Sequence, residues 1–254
     1  MIKIILSGCN GRMGRVLDRM IGEDEKTSVV AGFDINTATQ NPYPVFSNPT
    51  DFSGFADVLI DFSHPNNLAP VLSFALSQKI PAVIATTGLS AEDVGKIKEA
   101  SLKIPVFFSA NMSLGINLML DLVARATRIL EADYDIEIVE RHHNQKIDAP
   151  SGTALAIADV ISGAMTSPAQ YVYDRQSVRK KREKNEIGIH AVRGGSIVGD
   201  HEVIFAGMNE VIEIRHSAAS KEVFAQGAVT AAKYLVKQEP GLYNMNDLVR
   251  SFSE

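Results

Sequence analysis

Ile2-Lys3-Ile4-Ile5-Leu6-Ser7-Gly8-Cys9-Asn10-Gly11-Arg12-Met13-Gly14 sets the architecture of the whole chain. Ile2 to Ser7 is a short β-branched run that reads as a buried strand. From Arg12 to Ile21 the apolar residues Met13, Val16, Leu17 and Met20 recur at helical spacing. Between them lie three glycines in a GxxGxxG pattern. Glycines let a backbone turn tightly and approach a pyrophosphate, and a helix N-terminus supplies free N–H groups and a favourable dipole. The more frequent spacing is GxGxxG, so the meaning comes from the context of strand before and helix after. The plainer alternative is a strand-to-helix turn that holds nothing. Cys9 sits on this loop without a base partner and reads as a small packing residue.

The rhythm continues outward. Thr27 to Asp34, Ala56 to Asp61, Pro81 to Ala85 and Ile104 to Phe108 read as strands. Asn67 to Ser77 and a segment opening at Ser90 read as helices, with Asp93 placed for a capping box. Residues 36 to 55 hold three prolines and many Asn, Ser and Thr, and read as loop. Strands alternating with helices imply right-handed βαβ units on a parallel sheet, and continuous apolar strands fit burial on both faces. Asp34 falls 20 residues after Gly14, where an acidic side chain would bond the adenine ribose hydroxyls. Ile35 and Asn36 follow it, with no adjacent Arg or Lys for a 2′-phosphate. This points to a slight preference for NADH over NADPH, although Arg12 is a candidate phosphate partner.

The second half changes rhythm after a break near residues 109 to 115. Leu114 to Leu130 is a long apolar helix. Tyr134 to Glu140 alternates, Ile136 and Ile138 against Glu137 and Glu140, as a strand with one buried face should. Ser151 to Met165 is helical. Ile187 to Val192, Ser196 to Phe205 and Glu210 to His216 read as a meander, which suggests an open, largely antiparallel sheet. Val223 to Val236 is a final helix. The expected fold is therefore α/β: an N-terminal Rossmann-type parallel-sheet domain plus a smaller α+β domain with an open mixed sheet.

The stretch Glu140-Arg141-His142-His143-Asn144-Gln145-Lys146-Ile147-Asp148-Ala149-Pro150-Ser151-Gly152-Thr153-Ala154 concentrates chemistry. Histidine titrates near neutrality and can deliver a proton. Lysine supplies positive charge or a proton of its own. A Ser-Gly-Thr helix start offers N–H groups and hydroxyls to a carboxylate. Together they would form an anion-binding, proton-donating site; the plainer alternative is a solvated loop before a capped helix.

Composition bounds the rest. The chain has 254 residues, 45% hydrophobic and 22% charged, with net charge −5, which disfavours nucleic acid or an anionic membrane as partner. One cysteine precludes an intrachain disulfide. The apolar start is too short for a signal peptide, no stretch suits a membrane span, and a cytoplasmic location is expected. No His, Cys or carboxylate spacing suggests a metal. The basic residues Arg175, Arg179, Lys180, Lys181, Arg182 and Lys184 read as a solvated, mobile loop.

The HHxxKxDAPSGTA segment resembles the 4-hydroxy-tetrahydrodipicolinate reductase (dihydrodipicolinate reductase) family of lysine and diaminopimelate biosynthesis. The resemblance extends to Gly8–Gly14, Asp61-Phe62-Ser63, Thr86-Thr87-Gly88, Ser109-Ala110-Asn111-Met112-Ser113, Arg193 with Val198-Gly199-Asp200-His201, and Gly241-Leu242-Tyr243-Asn244-Met245. Asp200 and Asn244 depart from the commoner Glu and Asp. The resemblance implies His142 as proton donor and Lys146 as its catalytic partner. It implies His143, Ser151, Gly152 and Thr153 as holders of a small dicarboxylate substrate. Gly8, Gly11, Arg12, Met13, Gly14, Asp34, Thr86, Thr87, Gly88, Ala110, Asn111 and Met112 would bind NADH or NADPH. It further implies a homotetramer, a cofactor domain over 1–113 to which 222–254 returns, and a substrate-binding and oligomerisation domain over 114–221. Two other functions stay open: a different two-domain dehydrogenase, or a non-enzymatic Rossmann nucleotide sensor. A semialdehyde dehydrogenase would want a catalytic Cys in a central loop, and a sensor would not need His142 and Lys146.

Overall fold

The structure, a computed structural model, describes residues 1–252. Its strands in chain order are β1 (Ile2–Ser7), β2 (Thr27–Phe33), β3 (Val45–Phe46), β4 (Val58–Asp61), β5 (Ala82–Ile84), β6 (Pro105–Phe108), β7 (Asp135–His142), β8 (Gln170–Val172), β9 (Glu186–Arg193), β10 (Gly199–Ala206), β11 (Val211–Ala218) and β12 (Gly241–Tyr243). Its helices are α1 (Arg12–Gly22), α2 (Leu68–Gln78), α3 (Ala91–Ser101), α4 (Leu114–Leu130), α5 (Gly152–Ala164), α6 (Glu222–Leu235) and α7 (Met245–Arg250). They form two compact units: Met1–Leu114 together with the stretch from Glu222 onward, and Gly115–Lys221.

The first unit is a seven-stranded sheet in the order β12-β6-β5-β4-β1-β2-β3, parallel throughout. The apolar runs work on both faces at once, because successive side chains of a strand point to opposite sides. Ile4 and Leu6, Val58 and Ile60, Val83 and Phe107 pack with α1, α6 and α7. Ile5, Leu59, Ala82, Ile84 and Val106 pack with α2 and α3. The capping box expected at α3 is present, with Ser90 and Asp93 exchanging hydrogen bonds. The chain order reverses between β1 and β4, and the crevice beyond the carboxyl ends of such strands is where open α/β sheets bind ligands.

Several short elements, α7 among them, escaped the sequence reading here. Residues 36 to 55 are not all loop: β3 pairs with Gly32 and Phe33, and Pro49–Asp51 makes a 3-10 turn. The far edge is closed by β12, which pairs with β6. Strands of two or three residues carry no readable period.

The second unit is a five-stranded sheet in the order β11-β10-β7-β9-β8. It is not the antiparallel meander that the chain order suggested. β7 lies between β9 and β10, parallel to the first and antiparallel to the second, and β8 pairs parallel with β9. The connection from β9 to β10 therefore crosses the end of β7. One face packs Ile136, Ile138, Ile187, Ile189, Val203 and Phe205 against α4 and α5. The basic segment is likewise not a free loop. Arg182 donates to Asp135 at 2.9 Å and Glu137 at 3.2 Å, and Arg175 donates to Glu137 at 2.6 Å and Glu186 at 2.8 Å. Arg175 and Lys180 hold the Glu186 carboxyl down at about 2. Arg179 and Lys181 are exposed.

Candidate active site

The predicted site residues fall into two groups, one in each unit. In the first unit they stand at the carboxyl edge of the parallel sheet, on the loops after β1, β2, β5 and β6. Gly11 is the N-cap of α1; no side chain caps this helix and no acidic residue lies in its first turn. Its opening amides, from Arg12, Met13 and Gly14, are thus suited to an outside anion. Arg12 is exposed and Met13 half-buried. Asp34 accepts the Asn10 N–H at 2.9 Å on one oxygen and the Asn36 N–H at 2.9 Å on the other. Asn10 is itself clamped: its side chain donates to Asn36 O at 2.5 Å and accepts from Asn41 at 3.0 Å. The acidic group and the glycine loop are therefore one preformed piece, and each Asp34 oxygen retains a lone pair for a hydroxyl. A cavity of about 50 Å³ beside it is lined by Ser7, Phe33, Asp34, Ile35, Ser47 and Val71 among others.

On the other side of β1, Asp61 is fully buried and accepts the Thr86 hydroxyl at 2.6 Å. That bond fixes the start of Thr86-Thr87-Gly88, whose last two residues are exposed. Asn111 folds its own stretch: its side chain accepts the Ser113 N–H at 2.9 Å, and its carbonyl accepts the Ser109 hydroxyl at 2.9 Å. Ala110 is exposed and Met112 buried. His64 caps the 3-10 turn before α2. Cys9 is 1% exposed, and burial pushes its thiol up to about 11, as expected of a packing residue. A glycine cradle on an uncapped helix start, with an acidic residue after the next strand, fits a dinucleotide.

In the second unit, His142 ends β7 and Ser151 is the N-cap of α5, its hydroxyl accepting the Ala154 N–H at 3.1 Å. The connection across the end of β7 holds this corner shut. Gly194 N–H donates to His142 O, and Asn144 N–H donates to Gly195 O. A side chain at Gly199 would meet His142 Nε2 at 3.1 Å, so the glycine leaves room for the ring. Lys146 pairs with Asp148 at 3.0 Å and holds its carboxyl below the usual range. His143 and Thr153 are half-buried, and Gly152 is exposed.

Beneath these groups lies a residue that the sequence reading placed on the wrong side. Its polarity groups Glu140 with Glu137, yet it shares the parity of Ile136, Ile138 and His142, all of which are buried. Glu140 is fully buried. One of its oxygens meets His142 Nδ1 at 2.6 Å and Arg193 Nη1 at 2.8 Å. The other accepts from Arg193 Nη2 at 2.7 Å and from Ser151 N–H at 3.0 Å. Burial pulls its pKa up, but the hydrogen bonds from Arg193, His142 and Ser151 outweigh this and leave it lowered. Arg193 also donates to Asp148 O at 2.7 Å, which ties the loop down. The signal was available: a carboxylate on the buried parity of a strand needs a partner.

His201 on β10 completes the corner. It is buried, packs edge-on to His142 with ring centroids 5.2 Å apart, and shares a hydrogen bond with Ser151 Oγ at 3.0 Å. Burial first, and then the neighbouring His142, push its pKa down to about 4. A base whose folded pKa is depressed binds its proton more readily when unfolded. Its contribution to stability is then complete above about pH 6.5 and is lost as pH falls toward about 4. The expected size is on the order of 2–3 kcal/mol. Thermal melts of the wild type and His201→Gln across this range check it: the wild type should lose stability more steeply, and equal slopes would refute the reading.

Two family models cover the chain: residues 2–112 match "Dihydrodipicolinate reductase, N-terminus" and residues 115–249 match "Dihydrodipicolinate reductase, C-terminus". A 4-hydroxy-tetrahydrodipicolinate reductase of Caldanaerobacter subterraneus subsp. tengcongensis is 54% identical over 250 residues, covering 98% of this chain and 99% of the relative. One from Clostridium novyi is 49% identical over 251 residues, covering 99% of each. The solved structure of a dipicolinate-bound dihydrodipicolinate reductase from Paenisporosarcina sp. TG-14 superimposes with a TM-score of 0.80 at 25% identity, covering 96% of this chain and 97% of that one. A myo-inositol dehydrogenase from Corynebacterium glutamicum, 17% identical with a TM-score of 0.57 over 100% of this chain and 94% of its own, shares the fold.

Proposed function

The chain belongs to the dihydrodipicolinate reductase family, and from that premise we propose that it reduces 4-hydroxy-tetrahydrodipicolinate to tetrahydrodipicolinate in diaminopimelate and lysine biosynthesis, using NADH or NADPH. The observation that carries the reading is the meeting of His142 and Ser151, the cap of α5, on Glu140 in the second unit, with Lys146 on the loop between them, in a chain matched end to end by reductases of that name. The dipicolinate bound to the Paenisporosarcina reductase supports a dicarboxylate substrate.

The residue roles follow from chemistry. The start of α5 at Ser151-Gly152-Thr153, with the positive end of its helix dipole, and His143 hold the substrate carboxylates. Lys146 adds positive charge where negative charge builds. His142 delivers the proton that completes the reduction. The bound nicotinamide supplies the hydride. The opening of α1, with Gly8 and Gly11, would hold the pyrophosphate, and Arg12 and Met13 the adenosine side. Thr86, Thr87, Gly88, Ala110, Asn111 and Met112 would line the nicotinamide. The first unit is thus read as the cofactor domain and the second as the substrate domain.

Asp34 favours NADH, because a carboxylate held in place by Asn10 and Asn36 repels a 2′-phosphate. Assembly as a homotetramer is supported by the sheet face turned away from α4 and α5, which carries the exposed Val192 and Val211. Among the described residues no helix is long and apolar enough to cross a membrane.

A coupled assay tests the reading. Substrate is generated in situ from pyruvate and aspartate semialdehyde by its synthase, and oxidation of NADH and NADPH is followed. Rapid substrate-dependent oxidation is expected, faster with NADH. Asp34→Ala should raise the NADPH-to-NADH ratio of kcat/KM about tenfold or more, since removing one repulsion of a few kcal/mol is worth at least that. An unchanged ratio would remove Asp34 from cofactor choice. No oxidation with either cofactor would send the function to another dehydrogenase class.

A further inference from the structure

Glu140 is the most heavily engaged buried carboxylate of the second unit, and its four contacts are not interchangeable. Arg193 binds both oxygens, which fixes the plane of the carboxylate. One oxygen then faces His142 Nδ1, and the other takes the N–H of Ser151, the cap of α5. A single rigid group thereby sets the ring that would donate the proton and the helix start that would hold the substrate. We propose that Glu140 is a positioning residue: it confines the Nδ1 proton of His142, so that Nε2 is the nitrogen that releases and recovers the transferred proton. This rests on the reading of His142 as proton donor.

The chemistry gives direction. The proton-donating imidazolium carries hydrogens on both nitrogens, and the one on Nδ1 needs an acceptor in a buried corner. Glu140 is that acceptor. When Nε2 gives up its proton, the neutral ring keeps its hydrogen on Nδ1, and no rearrangement is needed before reprotonation. Arg193 balances the carboxylate charge, so Glu140 is not an uncompensated buried anion. The charged and titratable groups around it are Arg193 from β9, His142 from β7, His201 from β10, and Lys146 with Asp148 from the loop.

Glu140→Gln separates these roles. An amide must place an NH₂ where one oxygen was. At the Ser151 side it would confront only donors, Ser151 N–H and Arg193. At the His142 side the ring can accept by moving its own hydrogen to Nε2. The variant is therefore expected to bind NADH as the wild type does, to show His142 in the Nε2–H tautomer, and to lose about 10²-fold in kcat. Histidine-selective ¹⁵N NMR reads the tautomer, with the His142 signal assigned by its loss in His142→Gln. In wild type the neutral ring should be Nδ1–H, a measurement that stands even if the variant does not fold. A wild-type Nε2–H tautomer overturns the proposal. So does a variant that keeps the wild-type tautomer or the wild-type kcat.

A double-mutant cycle distinguishes positioning from plain structural support. Added to His142→Gln, the Glu140→Gln change should cost nothing further in kcat, because the ring through which it acts is gone. An additive loss overturns the proposal. If instead His142→Gln alone retains activity, the proton-donor reading fails while the tautomer result remains interpretable on its own.

Discussion

Replacing His142 by Gln is expected to lower kcat by about 10²- to 10⁴-fold while KM moves little. Glutamine keeps the size and polarity of the ring but carries no transferable proton near neutral pH. A general acid acts in the transition state, so its loss falls on kcat; on the proposed reading the helix start and Lys146 would still hold the ground state. The fold should survive, because Glu140 keeps its two bonds from Arg193 and its bond from Ser151. Thermal melts close to wild type would confirm that the kinetic loss is chemical. Steady-state assays with saturating NADH then decide: a loss under tenfold would take the proton donation away from His142. A large rise in KM with kcat intact would make the residue a substrate contact instead.

How much of this was legible before the fold was known differs by element. The parallel sheet was, since Ile4-Ile5-Leu6 and Val58-Leu59-Ile60 are apolar without alternation, and only burial on both faces stabilises such a strand in water. The strand leading to His142 was too, from its period of two, although the reading ended it at Glu140 and placed His142 in the following loop, whereas β7 runs on to His142. Its neighbours were not. Whether β9 lies beside β7 or beside β10 depends on pairings across some fifty residues of chain, which no local pattern records. The same non-local placement brings Arg193, His201 and Gly199 onto His142, so the supporting half of the site was invisible from the motif alone. Glu140 is the intermediate case. Its parity predicted burial, but its charge argued for solvent, and burial prevails because Arg193 supplies a bidentate partner. The basic segment was read in part: it is a loop whose basic residues are mostly exposed, but the acidic edge of the sheet at Asp135, Glu137 and Glu186 gives Arg175 and Arg182 fixed partners.

In the first unit, Gly14→Ala is expected to abolish useful cofactor binding. A Cβ at this position would stand 2.0 Å from Gly8 O, 2.6 Å from Cys9 O and 2.7 Å from Cys9 C. All three are main-chain atoms, so no side chain can swing away to relieve the overlap. Either α1 moves off the end of β1 or the loop opens, and both spread the N–H groups that would face a pyrophosphate. Overpacking of a well-packed site costs about 1–3 kcal/mol even when side chains can adjust; against backbone the cost should lie at or above the upper end. A penalty of about 3 kcal/mol expressed in binding is roughly a 10²-fold weaker Kd for NADH. Gly11→Ala is the internal comparison: its Cβ would meet only Gly8 O, at 3.2 Å, a contact relieved by a shift of a few tenths of an ångström. Gly152→Ala, at the head of α5, would meet nothing within 4 Å. Titration of NADH fluorescence should therefore rank the variants, Gly14→Ala far weaker than Gly11→Ala, and Gly152→Ala indistinguishable from wild type. Equal affinities for the first two would mean that close packing of helix on strand is not what shapes the phosphate loop. A weakened Gly152→Ala would show that the second unit takes part in holding the cofactor.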